Sequence, residues 1–576
     1  MAVHQFDYIF ALGVIFAFLD AWNIGANDVA NSFATSVSSR SLTMMQAMGI
    51  ATVMEFTGAM AVGAEVADTI RTKVVDPDLF AEAPTVLMLG MLCAIVGSSI
   101  YLTIATRLGL PVSTTHSIMG GVIGSSIASV GAAQVNWGWD GVSQVFAAWA
   151  IAPALAGSFA SIIFLVTKYA VMKRQNPVRN AFYTVPFYFA LTSGLLTMLI
   201  VWKGASSKIK LSGGEIAGTI LGVAFGVAAL VCIFFLPYLY RKLICDDWEL
   251  KWWQIPQGPL LLRRPAPSPQ PEGYNDGIQN YYRGHKTLAE LQAEREAKAA
   301  AAATNPTDVE KNAHYTAKST ASSDNITPDG TTHKHVALVD EDLEPRRIPP
   351  PGPWYSPNVA FWHAKRAFLH GVEKDVVSSQ KTKSVLSGDL ERTHALAEHY
   401  DNKAEYMYSF LQVLTAATSS FAHGANDISN AVGPFATIYL IWNTNNVSSK
   451  VPVPHWILAF GGGALVIGLW TYGYNIMRNL GNRITLHSPS RGFSMELGSA
   501  ITVIMATRLK LPVSTTQCIT GATVGVGLCN GTWRTINWRM VGWIYGGWII
   551  TLPVTGIIAG CLMGIIINAP TWDSPL

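Results

Sequence analysis

Two passages of the chain are near-copies of each other, and each places an aspartate inside a segment apolar enough to cross a membrane. The first reads GANDVANSFAT from Gly25 and contains Asp28; the second reads GANDISNAVGPFAT from Gly424 and contains Asp427. A carboxylate in hydrocarbon is costly unless it faces a partner, an ion or water, so it marks a candidate functional site. Two such residues in matching contexts predict one site built from both halves of the molecule, as in many secondary transporters.

A second motif, LPVSTT, is also duplicated in apolar segments, starting at Leu110 and again at Leu511. Pro111 suits the first turn of a helix, and hydroxyl groups follow it closely. A helix that restarts at membrane depth presents free N–H groups and a positive dipole end, which suit an anion. The alternative, a proline kink with hydroxyls bonded back to carbonyls, stays open for one copy but explains two matched copies poorly. The candidate anion-binding residues are Asp28, Ser113, Thr114, Thr115, Asp427, Ser514, Thr515 and Thr516.

The aspartate motifs also supply hard oxygen ligands. In a helix, each aspartate shares a face with its neighbouring asparagines, and carboxylate, carboxamide and carbonyl oxygens together suit a cation such as Na⁺. A buried carboxylate satisfied by hydrogen bonds alone is the alternative. Two glutamates in apolar segments are further candidates for a coupling ion or a proton, with a structural role left open. The candidate sodium-binding residues are Asn27, Asp28, Asn31, Asn426, Asp427, Asn430, Glu55 and Glu496.

Four titratable residues in apolar segments have no titratable counterpart in the other half. The offset between the copies places Asp20 opposite Ser419, His116 opposite Gln517, and Glu496 opposite about Ile95. Glu55 is matched with Phe460 or a close neighbour. A lone histidine within a membrane segment is more often a hydrogen-bonded core residue than a ligand.

Composition identifies a polytopic helical membrane protein. Half of the 576 residues are hydrophobic and only 13% are charged, about half the charge density of a soluble domain. Uncharged stretches long enough to span about 30 Å of hydrocarbon recur at both ends of the chain. The net charge of +3 is too small to indicate nucleic-acid binding. The six cysteines have no paired spacing, so no disulfide framework or resident metal is expected.

Charge divides the chain into an N-terminal membrane region at 1–240, a hydrophilic loop at 241–403 and a C-terminal membrane region at 404–576. The loop has few apolar runs and a proline-rich tract, and it is expected to be partly disordered. GAND recurs at an offset of 399 (424 minus 25), and the ATRL preceding each LPVSTT recurs at 401 (506 minus 105). Each membrane region therefore contains one copy of a repeat.

We expect about twelve membrane segments, seven before the loop and five after it. An odd number before the second copy predicts that the two repeats are inverted, with broken or re-entrant helices. Clusters of basic residues favour a cytoplasmic loop and external termini. The segment 108–130 either spans or re-enters. No lysine or arginine falls in the middle of a segment, so an anion held beside carboxylates needs mobile cations to offset the charge.

The doubled GAND and LPVSTT motifs closely resemble the inorganic phosphate transporter family, and are most similar to the fungal sodium-coupled phosphate symporters. The resemblance covers both apolar regions. It implies twelve membrane segments, inverted repeats, a cytoplasmic central loop, Na⁺-driven phosphate uptake at the plasma membrane, and homodimers. Some relatives carry a glutamate near the position of Ile95, which this chain lacks.

The sequence therefore predicts a symporter that imports phosphate with Na⁺ by alternating access in the lipid bilayer, without a cofactor. The competing hypotheses are a proton-coupled or sulfate-selective carrier of the same fold, and a phosphate-sensing receptor. An enzyme such as a membrane phosphatase is not expected, because no nucleophile–base pair or cluster of metal ligands is evident.

Overall fold

The computed structural model describes residues 4–205, 211–270, 278–304, 350–353, 355–369, 372, 386–448, 453–509 and 511–569. Regular structure in these ranges is entirely helical, which confirms the predicted all-α class. Within them, eight segments are long and apolar enough to cross a membrane: His4–Ser38, Met44–Ala64, Pro84–Leu108, Val142–Met172, Pro177–Trp202, Gly213–Leu243, His455–Tyr472 and Trp538–Asn568. The count of twelve segments stays a prediction.

The described chain up to residue 243 forms α1 (Asp7–Ser38), α2 (Met44–Val74), α3 (Pro84–Leu108), α4 (Thr114–Val130), α5 (Val142–Thr167), α6 (Pro177–Leu199), α7 (Gly213–Leu230) and α8 (Leu236–Leu243). π-Helical turns follow α5, α6 and α7 at Lys168–Met172, Ile200–Ala205 and Val231–Phe235. Short 3-10 turns lie at His4–Phe6, Pro77–Phe80 and Ala132–Gln134. Proline at the first position begins α3 and α6, and Thr43 and Ser212 form capping boxes that begin α2 and α7.

The described parts of the central region contain a 3-10 segment (Trp252–Arg263), α9 (Leu288–Thr304), α10 (Pro357–Leu369) and α11 (Leu390–Ala395). The C-terminal part contains α12 (Asn402–Thr444), α13 (His455–Tyr472), α14 (Tyr474–Leu480), α15 (Pro489–Arg508), α16 (Thr515–Leu528) and α17 (Trp538–Asn568), with a 3-10 turn at Trp533–Thr535. Asp401 begins the 43-residue α12, because its carboxylate accepts a hydrogen bond from the backbone N–H of Ala404 at 2.9 Å.

Two helical hairpins place the LPVSTT motifs at their turns: α3 with α4, and α15 with α16. The side chain of Ser113 accepts a hydrogen bond from the backbone N–H of His116 at 3.1 Å, and Ser514 accepts one from Gln517 at 3.3 Å. These two serines are thus the N-caps of α4 and α16. With 17 and 14 residues, the two helices are about 25 Å and 21 Å long, shorter than the roughly 30 Å hydrocarbon core.

The residues that follow the two hairpins make the same contacts in both halves. The backbone N–H of Asn136 donates to the carbonyl of Val74, and that of Asn537 donates to the carbonyl of Ile484, both at 2.9 Å. The indole N–H groups of the two following tryptophans also donate to equivalent carbonyls, at 2.8 Å and 2.9 Å. The sequence repeat is therefore a repeat of local structure.

The most extensive helix contacts join one half to the other, since α1 packs on α12 and α13, α2 on α12, α4 on α17, and α5 on α16. Two crossings bring backbone against backbone at the start of the GAND motifs. A Cβ atom on Gly25 would lie 2.0 Å from the carbonyl oxygen of Leu465, and one on Gly424 would lie 2.2 Å from that of Glu55. Only glycine permits these approaches, so the motif glycines fix how the halves interlock.

A short part of the central region packs against the start of α12 and the residues that immediately precede this helix. The Tyr282 hydroxyl donates to Glu405 Oε1 at 2.8 Å and accepts from the backbone N–H of Tyr400 at 3.1 Å. The Tyr282 ring stacks on His399 with centroids 4.3 Å apart. Burial raises the pKa of Tyr282, so its hydroxyl keeps the proton that it donates.

Candidate functional site

The two motif aspartates lie in one buried polar cluster, where α1 and α12 meet the first turns of α4 and α16. Asp28 and Asp427 are each 1% exposed. Asp28 accepts hydrogen bonds from Thr114 of its own half at 2.8 Å and from Thr516 of the other half at 3.2 Å. Asp427 accepts from Thr515 of its own half at 2.8 Å and from Thr115 of the other at 3.3 Å. Each carboxylate is therefore bound by hydroxyls from both halves.

The two motif asparagines three residues further along reinforce this exchange. Asn31 Nδ2 donates to Asp28 Oδ1 at 3.1 Å, and it also lies 3.2 Å and 2.9 Å from the hydroxyls of Thr515 and Thr516. Asn430 Nδ2 lies 3.1 Å and 3.2 Å from the two threonine hydroxyls that begin α4. The amide oxygens of both asparagines are buried and accept no hydrogen bond from the described residues, which leaves them available to a ligand.

The remaining motif asparagines differ in their hydrogen-bond partners. The Asn27 amide oxygen accepts from the backbone N–H of Val112 at 3.1 Å, and its nitrogen donates to Thr106 and to the carbonyl of Leu110 at 3.1 Å and 3.2 Å. Asn27 thus holds the turn of the first hairpin in place. Asn426 instead donates to Asp427 Oδ1 at 2.9 Å.

His423 belongs to the cluster, although the duplicated motifs did not select it as a candidate. Its Nε2 lies 3.1 Å from Asp427 Oδ2 and 3.6 Å from Asp28 Oδ2, and its Nδ1 lies 3.1 Å from Glu55 Oε2. Within the described residues it is the only basic side chain at ion-pair distance from either aspartate. The first repeat has Ile24 at the equivalent position, so His423 is not one of the residues that occur in both repeats. The available signal was a histidine four residues before Asp427, on the same helix face.

Three side chains of this cluster could together hold a metal ion. One ligand atom from each of Asp28, His423 and Asp427 lies within 4.8 Å of the other two. Carboxylate and amide oxygens are the ligands that hard cations such as Na⁺ prefer, and Asn31 and Asn430 offer free amide oxygens in the same cluster. The donor set therefore fits a small cation.

Glu55 lies at the edge of this cluster, and its repeat equivalence differs from the expectation. Ser420 donates to Glu55 Oε1 at 3.4 Å, while Glu55 Oε2 faces His423. The close approach of Gly424 to Glu55 matches that of Gly25 to Leu465. Leu465, rather than Phe460, is therefore the structural equivalent of Glu55.

Glu496 lies in a separate buried cluster and does not contact the two aspartates. It accepts four hydrogen bonds from neutral side chains: Thr35 at 2.5 Å, Ser36 at 2.6 Å, Thr415 at 2.5 Å and Gln412 at 3.1 Å. Thr35 follows Asp28 by seven residues, which corresponds to about 10 Å along α1. The sequence placed both glutamates among the candidates, and the structure brings only Glu55 to the aspartates.

These features define a polytopic helical membrane protein whose two repeats share one site of carboxylates, amides and hydroxyls. The sequence profile of the phosphate transporter family matches residues 24–559, and the chain belongs to that family. It is 61% identical to the phosphate-repressible phosphate permease pho-4 of Neurospora crassa, over 99% of both chains. It is 29% identical to sodium-dependent phosphate transporter 2 of Felis catus, over 98% of this chain and 99% of the relative.

A solved structure, described as the sodium-dependent phosphate transporter, shares this fold. It aligns with a TM-score of 0.63 and 25% identity, and covers 98% of this chain and 100% of the other. The resemblance inferred from GAND and LPVSTT is thus confirmed, and the family is one of transporters rather than enzymes.

Proposed function

We propose that this protein is a secondary active symporter that imports inorganic phosphate together with Na⁺ by alternating access. One observation carries the proposal: Asp28 and Asp427 are each bound by threonine hydroxyls from both repeats, at the N-termini of two short helices. Such helix ends attract anions, and carboxylates at the same place attract cations. A site with both properties suits the joint transport of an oxyanion and a metal ion. The names of the relative from Felis catus and of the solved structure support sodium as the coupled ion.

The phosphate would bind at the N-termini of α4 and α16, among the side chains of Thr114, Thr115, Thr515 and Thr516. Ser113 and Ser514 would act by capping these helices. Phosphate at neutral pH carries at least one P–OH group, which can donate a hydrogen bond to Asp28 or Asp427, whereas sulfate has no proton to donate. This difference would supply selectivity against sulfate.

The cations would bind to the carboxylates of the same cluster. Asp28 and Asp427 would serve with Asn31, Asn430 and Glu55 in the central site. Asn27 and Asn426 would position it, and Glu496 would form a second site beside Thr35 and Thr415. A phosphate anion beside two carboxylates is repelled unless cations offset the charge, and His423 is the single basic group at ion-pair distance among the described residues. Obligatory coupling follows from this charge balance.

The proposed arrangement in the membrane has two inverted repeats. The hairpins α3–α4 and α15–α16 would enter from opposite faces because the repeats are inverted. Their helices α4 and α16 would re-enter rather than cross, because both are too short to span. The termini would then lie outside the cell and the region 241–403 in the cytoplasm, in a multi-pass protein of the plasma membrane. The working unit would be a homodimer.

Proton coupling is the second candidate, and His423 is the observation that favours it. A histidine in contact with three carboxylates can carry a proton between them. In that case an inward H⁺ gradient would replace the Na⁺ gradient as the driving force.

The test is phosphate uptake into proteoliposomes with Na⁺ and pH gradients imposed separately. We expect uptake with the Na⁺ gradient alone, its loss in Asp28→Asn and Asp427→Asn, and no inhibition by sulfate. Asp140→Asn, which changes an exposed acid, is the matched control and should transport normally. Near-normal uptake by either site variant would overturn the assignment, while uptake driven only by pH would establish proton coupling.

Two further outcomes test the hypothesis of a phosphate-sensing receptor and the proposed basis of selectivity against sulfate. Phosphate binding without net flux in the reconstituted protein would identify a receptor and contradict transport. If Asp28→Asn and Asp427→Asn still bind phosphate and exclude sulfate as well as wild type does, the P–OH contact does not set selectivity.

A further inference from the structure

A buried acid outside the central cluster is left unused by the proposed mechanism. Asp20 lies on α1 and is 0% exposed. It precedes Asp28 by eight residues, about 12 Å along the helix, and therefore belongs to a different level of the bundle. Within the described residues it takes part in no ion pair.

The surroundings of Asp20 are polar but neutral. Ser99 donates a long hydrogen bond to Asp20 Oδ1 at 3.5 Å, and the Ser98 hydroxyl also faces the carboxylate. Ser98 is tied in turn to Ser117 on α4 at 3.0 Å. None of the described protein groups donates a hydrogen bond to Asp20 Oδ2, although this oxygen is buried.

Asn23, one turn further along α1, adds a second unpartnered oxygen. Its Nδ2 donates to the carbonyl of Leu19 at 3.0 Å, to that of Ser99 at 3.4 Å and to the hydroxyl of Thr103 at 3.0 Å. These acceptors fix the orientation of the amide, because a flipped amide would set oxygen against oxygen. Asn23 Oδ1 is buried, accepts no hydrogen bond from the described residues, and lies on the helix face that carries Asp20.

We infer that Asp20 and Asn23, with the hydroxyls of Ser98 and Ser99, form a further Na⁺ site between α1 and α3, separate from the central cluster and from the site proposed at Glu496. A buried carboxylate without a basic partner must be neutralised, either by a proton or by a cation. A carboxylate oxygen, a fixed amide oxygen and hydroxyl oxygens form the hard-oxygen set that a cation prefers. The inference uses the proposed Na⁺ coupling only for the identity of the ion.

The test is equilibrium binding of radioactive ²²Na⁺ to the purified full-length protein, counted per chain. We expect Asp20→Asn to bind one Na⁺ fewer than wild type, while Asp140→Asn binds the wild-type number. Equal numbers in wild type and Asp20→Asn would overturn this inference. If wild type itself binds no Na⁺, the proposed sodium coupling fails as well, so the two failures are distinguishable.

Thermal unfolding supplies a readout that does not require transport. In Na⁺-free buffer Asp20→Asn should melt above wild type, because the neutral amide avoids the cost of burying a carboxylate that has lost its cation. In saturating Na⁺ the order should reverse. A difference that is the same with and without Na⁺, or that follows pH alone, would assign Asp20 a proton and overturn the inference. If Asp20→Asn does not fold, Ser99→Ala should weaken Na⁺ binding several-fold with folding intact, and unchanged affinity would overturn it.

Discussion

The crossing of α12 over α2 predicts a large effect from one methyl group. Gly424 begins the second GAND motif, and a Cβ atom at this position would lie 2.2 Å from the carbonyl oxygen of Glu55 and 2.6 Å from its Cα. Both are backbone atoms, which cannot turn away as the end of a flexible side chain can. Gly424→Ala must therefore separate the two helices at the crossing.

The size of the separation follows from the contact distances. Ordinary contacts of a Cβ atom begin at 3.4 Å. The carbonyl oxygen of Glu55 would lie 2.2 Å from the added Cβ atom, so the two atoms must move apart by about 1.2 Å (3.4 minus 2.2). Glu55 would move with its backbone, and its 3.1 Å contact with His423 Nδ1 would exceed hydrogen-bonding distance. Overpacking of this kind costs about 1–3 kcal/mol. We expect a lower melting temperature and at least a tenfold loss of uptake.

The assay pairs thermal unfolding of the purified protein with phosphate uptake into proteoliposomes. Gly463→Ala on α13 is the matched control, because nothing lies within 4 Å of its added Cβ atom. Alanine is favoured over glycine within a helix by up to about 1 kcal/mol, so the control should be neutral or slightly stabilised. Opposite signs for the two variants are expected. Wild-type melting and uptake in Gly424→Ala would refute the close crossing and the dependence of the site on it.

Three smaller changes test other contacts. Glu496→Gln should raise the Na⁺ concentration needed for half-maximal uptake, because an amide accepts fewer hydrogen bonds and carries no charge; an unchanged Na⁺ dependence would argue against a cation there. Tyr282→Phe leaves Glu405 without one donor and should lower stability by about 1–3 kcal/mol, measured by thermal unfolding; an unchanged melting temperature would contradict the buried contact. Ser514→Ala removes the N-cap of α16 and should cost about 1 kcal/mol, a loss that Ser514→Asn should largely restore.

Much of the site could be predicted from sequence because its residues occur twice. Burying a charge and breaking a helix at membrane depth are both costly, and for this reason Asp28, Asp427 and the threonines of both LPVSTT motifs are candidates from the sequence. The structure brings these residues together. The duplication did not indicate His423 as a site residue, because Ile24 occupies the equivalent position in the first repeat. Glu55 was selected by its charge alone, and its true equivalent, Leu465, emerges only from the helix crossings.

The pairing of particular groups could not be read from the sequence. A duplicated motif is compatible with each aspartate bonding only the threonines of its own repeat. The observed exchange depends on how α1 and α12 cross the hairpins, and that crossing is set by backbone approaches at Gly25 and Gly424. Periodicity and composition contain no information on which helices cross.

The exchange gives a physical reason for coupling within the proposed cycle. Each aspartate accepts one hydroxyl from its own repeat and one from the other, and Asn31 and Asn430 donate to hydroxyls of the opposite repeat. If the repeats move against each other, the bonds between them break and the carboxylates lose half of their hydroxyl donors. A buried acceptor left without a donor costs about 1–3 kcal/mol, and more when it is charged. Bound cations and a phosphate P–OH group would replace these donors, so a fully loaded site would cross this barrier more readily than a partly loaded one.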